Sequence, residues 1–125
     1  MKEEKFSIMN RLRSFIPAFN GLKILIKEEH NSRIHLLAAI LVLIASIIFK
    51  ISAIEWIAAI FAAGLVFVSE IINSAIENIT DFISPQENET IKKIKDLAAA
   101  GVLISSFTSL IIGLIVFLPK LLKLF

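Results

Sequence analysis

Three long stretches of this chain, residues 34–49, 51–69 and 97–118, hold no lysine or arginine and a single acidic side chain, Glu55. Each is close to the length of helix that crosses the hydrocarbon of a bilayer, about 20 residues at ~1.5 Å each. The first is short, so either the bilayer thins around it or neighbours cover its ends. A soluble helical core protein would show a polar face at helical spacing, whereas these runs are apolar all round. A content of 57% hydrophobic residues and a mean hydropathy of +0.84 agree. The first run lies behind too many charges to be a secretory signal. The pattern implies an all-α integral membrane protein organised as one domain over residues 1–125.

The charges sharpen this reading. The net charge is +2, and the basic residues flank the apolar runs. That placement suits anionic lipid headgroups and gives no ground for nucleic acid as a partner. The chain has no cysteine, which excludes disulfide and thiolate chemistry, and His30 and His35 without cysteine nearby do not make a zinc site.

Residues 5–28 read as an amphipathic helix. Phe6, Met9, Leu12, Phe15, Ile16, Phe19, Leu22 and Ile26 recur every three or four positions, with Lys5, Arg11, Arg13, Lys23 and Lys27 largely off that stripe. Such a helix lies in the membrane interface, and Pro17 should kink it or remove one hydrogen bond. The spanning helices are expected at 34–49, 52–83 and 91–118. Residues 50–52 form a tight turn, with Ser52 as N-cap and Glu55 as its capping-box partner. The second helix stops at Ser84-Pro85, and the third ends before Pro119.

Lys2, Lys5, Arg11, Arg13, Lys23, Lys27 and Arg33 precede the first span, and Lys92, Lys93 and Lys95 precede the third; the opposite side has Lys50, Lys120 and Lys123. The positive-inside rule then expects a multi-pass protein of the inner (cytoplasmic) membrane with the N-terminus in the cytoplasm and the C-terminus outside.

The segment EIINSAIENITD, residues 70–81, carries the most chemical information. Advancing about 100° per residue from Glu70, Asn73 falls near −60°, Glu77 near −20° and Asp81 near +20°. Three carboxylates on one face repel each other unless a cation sits among them, and oxygen donors of this kind suit Mg²⁺. The plain alternative is the solvated end of a long helix, but Ile72, Ala75, Ile76 and Ile79 keep the other faces apolar. Glu70 lies about 27 Å along the helix from Ser52, near the cytoplasmic edge of the hydrocarbon. A carboxylate ladder emerging there suggests chemistry between a cytosolic reagent and a lipid headgroup.

Two further clusters sit at similar depth. In KKIKDLAAAG, residues 92–101, Lys95-Asp96 is the last charged pair before an apolar span, and a lysine there can hold phosphate. Ala98, Ala99, Ala100 and Gly101 allow close helix approach. In KEEHNSRIH, residues 27–35, Glu28, Glu29 and Arg33 lie at the interface. The chain has no Walker loop, kinase Gly-rich loop or G-x-S-x-G elbow, so phosphate chemistry would be built from these helix ends.

Glu70, Asn73, Ser74, Glu77 and Asp81 in this spacing closely resemble the signature of the small prokaryotic diacylglycerol kinases. Lys95-Asp96 before small residues, and Gly21-Leu22 followed by Glu29 and Arg33, match as well, over roughly residues 10–118 and without gaps. The resemblance implies a surface helix and three membrane helices, assembled as a homotrimer with active sites between subunits. It implies transfer of the γ-phosphate of ATP, with Mg²⁺, to a lipid alcohol in the bilayer. Carried over by position, Glu70 is the catalytic base and Glu29 and Glu77 are metal ligands. Glu29, Asn73, Glu77, Lys95 and Asp96 face the nucleotide, and Glu70, Arg33 and Ala99 meet the lipid. Pro17 and Asn88 depart from the family pattern, which often has an aromatic residue and a histidine there; both bear on how adenine is held. The stretches at 33–39 and 98–103 look like the branch that phosphorylates undecaprenol, with diacylglycerol the second candidate. A small transporter subunit and a non-catalytic membrane scaffold are the rival readings; neither makes use of Lys95-Asp96 beside the carboxylates.

Overall fold

The computed structural model describes residues 7–125, and Lys5 and Phe6 of the expected amphipathic helix lie outside the described residues. Every described element is an α-helix: α1 (Ile8–Arg13), α2 (Phe15–Glu28), α3 (His30–Ile48), α4 (Ala53–Ile83) and α5 (Glu89–Leu122).

The expected N-terminal helix is two pieces. Pro17 has no N–H to offer the carbonyl of Arg13, and its ring crowds that carbonyl. The helix breaks one turn earlier, at Ser14, whose hydroxyl turns back to the Arg11 carbonyl at 2.5 Å. Pro17 then sits in the first turn of α2, where an N–H would have no partner anyway. Phe15, Ile16, Phe19 and Leu22 are exposed along α2, whereas Leu25 is buried.

One extended residue, Glu29, links α2 to α3. The Arg33 side chain reaches back across this link, donating from Nε to the Ile26 carbonyl at 2.7 Å and from its terminal nitrogen to the Lys27 carbonyl. Those carbonyls end α2 and have no helical partner, so Arg33 caps α2 and helical backbone begins at His30, earlier than the expected residue 34.

α3 ends in a Schellman motif. Ile51 N–H bonds the Ser46 carbonyl and Lys50 N–H the Ile47 carbonyl, both at 3.3 Å. Lys50 takes the left-handed conformation this motif needs, with φ 48°. Ser52 then caps α4, accepting from Glu55 N–H at 3.2 Å while Glu55 Oε1 accepts from Ser52 N–H at 3.0 Å.

α4 and α5 pack as an antiparallel pair along most of their length. Lys120 pairs with Glu55 at one end, Ser109 Oγ donates to the Ala62 carbonyl at 2.8 Å midway, and Lys95 pairs with Asp81 at the other end. Ala62, Val66, Ser105 and Val116 are buried. α5 begins at Glu89, capped by the Asn88 side chain accepting from Ile91 N–H at 2.9 Å. It continues through Pro119 to Leu122, past the expected end. The proline removes one bond near the terminus, and Lys120 ties the last turn to Glu55.

Helices α3, α4 and α5 are each long and apolar enough to cross a membrane, and most of their surface faces outward. The protein is a multi-pass membrane protein. With 31 and 34 residues, α4 and α5 run to about 46 and 51 Å, well beyond the ~30 Å hydrocarbon core, so their polar ends project into the headgroups and water.

Candidate active site

The polar end of α4 meets the start of α3 and the start of α5. Glu70 is 2% exposed. His35 of α3 places Nε2 3.2 Å from Glu70 Oε1, without the alignment of a hydrogen bond, so this buried oxygen has no hydrogen-bond partner. Buried carboxylate oxygens are rarely left so, and each that is calls for an explanation, such as a role in chemistry.

One turn further along α4, the buried Ser74 hydroxyl donates to Glu29 Oε1 at 2.8 Å. Asn73 Nδ2 donates to Glu77 Oε1 at 3.3 Å, and Asn73 Oδ1 is buried without a partner. Glu29 thus reaches α4 at Ser74 although it comes from the α2–α3 link. Lys95 bonds Asp81 Oδ1 at 2.6 Å. It precedes the apolar stretch 97–118, at the polar end of α5.

The remaining expected residues lie apart within one chain. Asp96 turns away from α4 to pair with Lys92 at 2.6 Å on an exposed face of α5. Ala99 is exposed, and the Arg33 guanidinium is engaged by the α2 carbonyls. The approach of His35 to Glu70 and the bond from Ser74 to Glu29 were missed in the sequence. Helical periodicity places side chains on a face but does not say which residue of another helix meets that face; the fall of Ser74 within one turn of both Asn73 and Glu77 was the available signal.

Below this polar end an apolar cleft of about 350 Å³ opens between α3, α4 and α5. Small residues make it, among them Ala38, Ala39, Ala59, Ala63 and Gly113, and His35 stands on its wall. Val66 lines the cleft, and Glu70 is one turn beyond it along α4.

Among the described residues no three His, Cys, Asp or Glu side chains cluster as a self-contained metal site. The donors present, Glu29, Glu77 and the orphaned Asn73 Oδ1, are all oxygen. They fit Mg²⁺, which is commonly held by one or two carboxylates plus substrate phosphates.

Three helices long enough to cross a membrane thus carry a cluster of carboxylates at their polar end, one of them buried one turn beyond an apolar cleft, as a multi-pass membrane enzyme acting on a lipid would need. The chain belongs to the prokaryotic diacylglycerol kinase family, whose model matches residues 17–117. It is 35% identical to an undecaprenol kinase of Bacillus subtilis over 120 residues, which is 96% of this chain and 98% of that one. It is 32% identical to a diacylglycerol kinase of Synechocystis over 116 residues, 92% of this chain and 66% of that one. The protein is a lipid kinase.

Proposed function

We propose that the protein transfers the γ-phosphoryl group of ATP to the hydroxyl of a membrane lipid alcohol, with undecaprenol the preferred acceptor and diacylglycerol the second. The observation that carries this is Glu70: a buried carboxylate with an open oxygen, one turn beyond an apolar cleft. The relative covering nearly the whole of both chains is named an undecaprenol kinase, which supports that acceptor.

Glu70 accepts the hydroxyl proton as the oxygen attacks the γ-phosphorus, and ADP departs with the electron pair of the broken bond. Glu29 and Glu77 would hold Mg²⁺, which neutralises polyphosphate charge when bound. Asn73 steadies Glu77, and Lys95 offers a cation to phosphate. Arg33 fixes the α2–α3 link from which Glu29 projects, beside the lipid. Asp96 and Ala99 face outward from α5, a position suited to completing the site of a neighbouring subunit in a homotrimer. The exposed apolar stripe of α1 and α2 lies on the membrane surface, the N-terminus is cytoplasmic, and the enzyme sits in the cytoplasmic membrane.

The test is transfer of label from [γ-³²P]ATP to undecaprenol and to diacylglycerol in mixed micelles with Mg²⁺. Labelled undecaprenyl phosphate at the higher kcat/KM supports the proposal. Faster labelling of diacylglycerol reverses the acceptor, and labelling of neither lipid removes the reading.

A further inference from the structure

Glu70 has a titratable neighbour on another helix, His35, with Nε2 at 3.2 Å from the unbonded Oε1. α5 presents no titratable side chain between residues 97 and 118, and Glu29, the nearest carboxylate described from the α2–α3 link, is held by Ser74 one turn away. A carboxylate sealed from water that takes a proton at each turnover needs a route for its release. The His35 side chain is 25% exposed while that of Glu70 is 3% exposed, so the imidazole is the more accessible partner of the buried carboxylate. It also lines the cleft, so it borders any lipid whose hydroxyl reaches Glu70.

We propose that His35 is a positioning residue for Glu70 and receives the proton that Glu70 takes from the lipid hydroxyl. The inference rests on the reading of Glu70 as base. In the step, the hydroxyl oxygen forms its bond to the γ-phosphorus, and the bond from that phosphorus to the bridging oxygen breaks, its electron pair leaving with ADP. The hydroxyl proton passes to Glu70, from there to Nε2 of His35, and then to water. The ring packs beside the carboxylate and fixes its rotamer before substrate arrives; a misplacement of about 1 Å in a reacting group can cost roughly 100-fold.

The experiment compares wild type, His35→Ala and His35→Gln as full-length protein in micelles, with ATP and whichever lipid alcohol the wild type phosphorylates. His35→Ala should lower kcat about 100-fold with the KM values for ATP and lipid little changed. Added imidazole should restore part of the His35→Ala rate, because it can refill the ring's place and carry the proton. His35→Gln keeps an amide near the carboxylate but cannot carry the proton, and should fall between the two. Wild-type kcat in His35→Ala overturns the inference, as does a change confined to the lipid KM. A His35→Gln rate equal to wild type overturns proton transfer through this ring, and a failure of imidazole to rescue does the same. Thermal unfolding of the variants identifies a loss due to misfolding, and an inactive His35→Ala that is unfolded leaves the decision to His35→Gln. Wild-type protein that phosphorylates no lipid overturns the function reading itself, whereas wild-type turnover with an indifferent His35→Ala overturns this inference alone.

Discussion

The Ser74 hydroxyl holds Glu29 Oε1 at 2.8 Å across 45 positions of sequence. It is the hydrogen bond that joins the α2–α3 link to the carboxylate face of α4. Glu29 is the one extended residue between two helices, so without Ser74 its carboxylate would be free to rotate into the headgroups. Ser74→Ala should therefore weaken Mg²⁺ use with little loss of fold. A rise of roughly 10-fold in the Mg²⁺ concentration for half-maximal turnover is the expected size for a residue supporting a ligand. Titrating Mg²⁺ at fixed ATP measures it, and an unchanged curve removes Ser74 from the site.

Glu29→Gln and Glu77→Gln should each raise the Mg²⁺ requirement further than Ser74→Ala, or abolish turnover, because each removes a charge from the donor set. Isothermal titration of Mg²⁺-ATP into the purified variants is the direct check. Unaltered Mg²⁺ dependence in both variants refutes the metal assignment.

Glu70→Gln keeps the side-chain shape and removes the basic oxygen. Turnover should fall by about two to four orders of magnitude, the usual worth of a positioned base, while ATP binding changes much less. Near-normal turnover would make Glu70 structural, and loss of ATP binding would move it to the nucleotide side.

Glu55 and Lys120 belong to the opposite end of the molecule and should affect stability alone. Glu55 closes the capping box of α4 and pairs with Lys120. Glu55→Ala removes both and should destabilise more than loss of the pair alone. Lys120→Ala removes only the pair. Thermal unfolding in detergent should rank Glu55→Ala below Lys120→Ala and both below wild type, with kcat per folded protein unchanged in each.

Reporter fusions at the two ends test orientation. An alkaline phosphatase fusion after Phe125 should be active and a fluorescent protein at the N-terminus should fold. The reverse result would put Glu70 and Lys95 on the side without ATP.

The three spans, the turn at 50–52, the Ser52–Glu55 cap and the shared face of Glu70, Asn73 and Glu77 could all be read from the sequence, because each depends on residues within a few turns of one another. The departures involve partners that are distant or chemically unexpected. Proline as a helix stop is sound near a free end, but at Pro119 the next residue is anchored on another helix. His35 looks like a lone polar residue in an apolar run until α4 is laid beside it. Lys95 and Asp96 are adjacent in sequence, yet on a helix they diverge by about 100°, one toward α4 and the other away.

Lys50 is where α3 turns back into α4, and its left-handed backbone costs a side-chain-bearing residue about 1–2 kcal/mol. That turn works as the pivot of a calliper whose two arms carry His35 and Glu70 well out along their lengths. Lengthening either arm by one residue near the pivot would swing the side chain it carries by about 100° and open the jaws, with every span still apolar and every charged residue still present. Activity in such an insertion variant should therefore vanish before membrane insertion does, which makes the register of one short turn a determinant of the chemistry about 27 Å away.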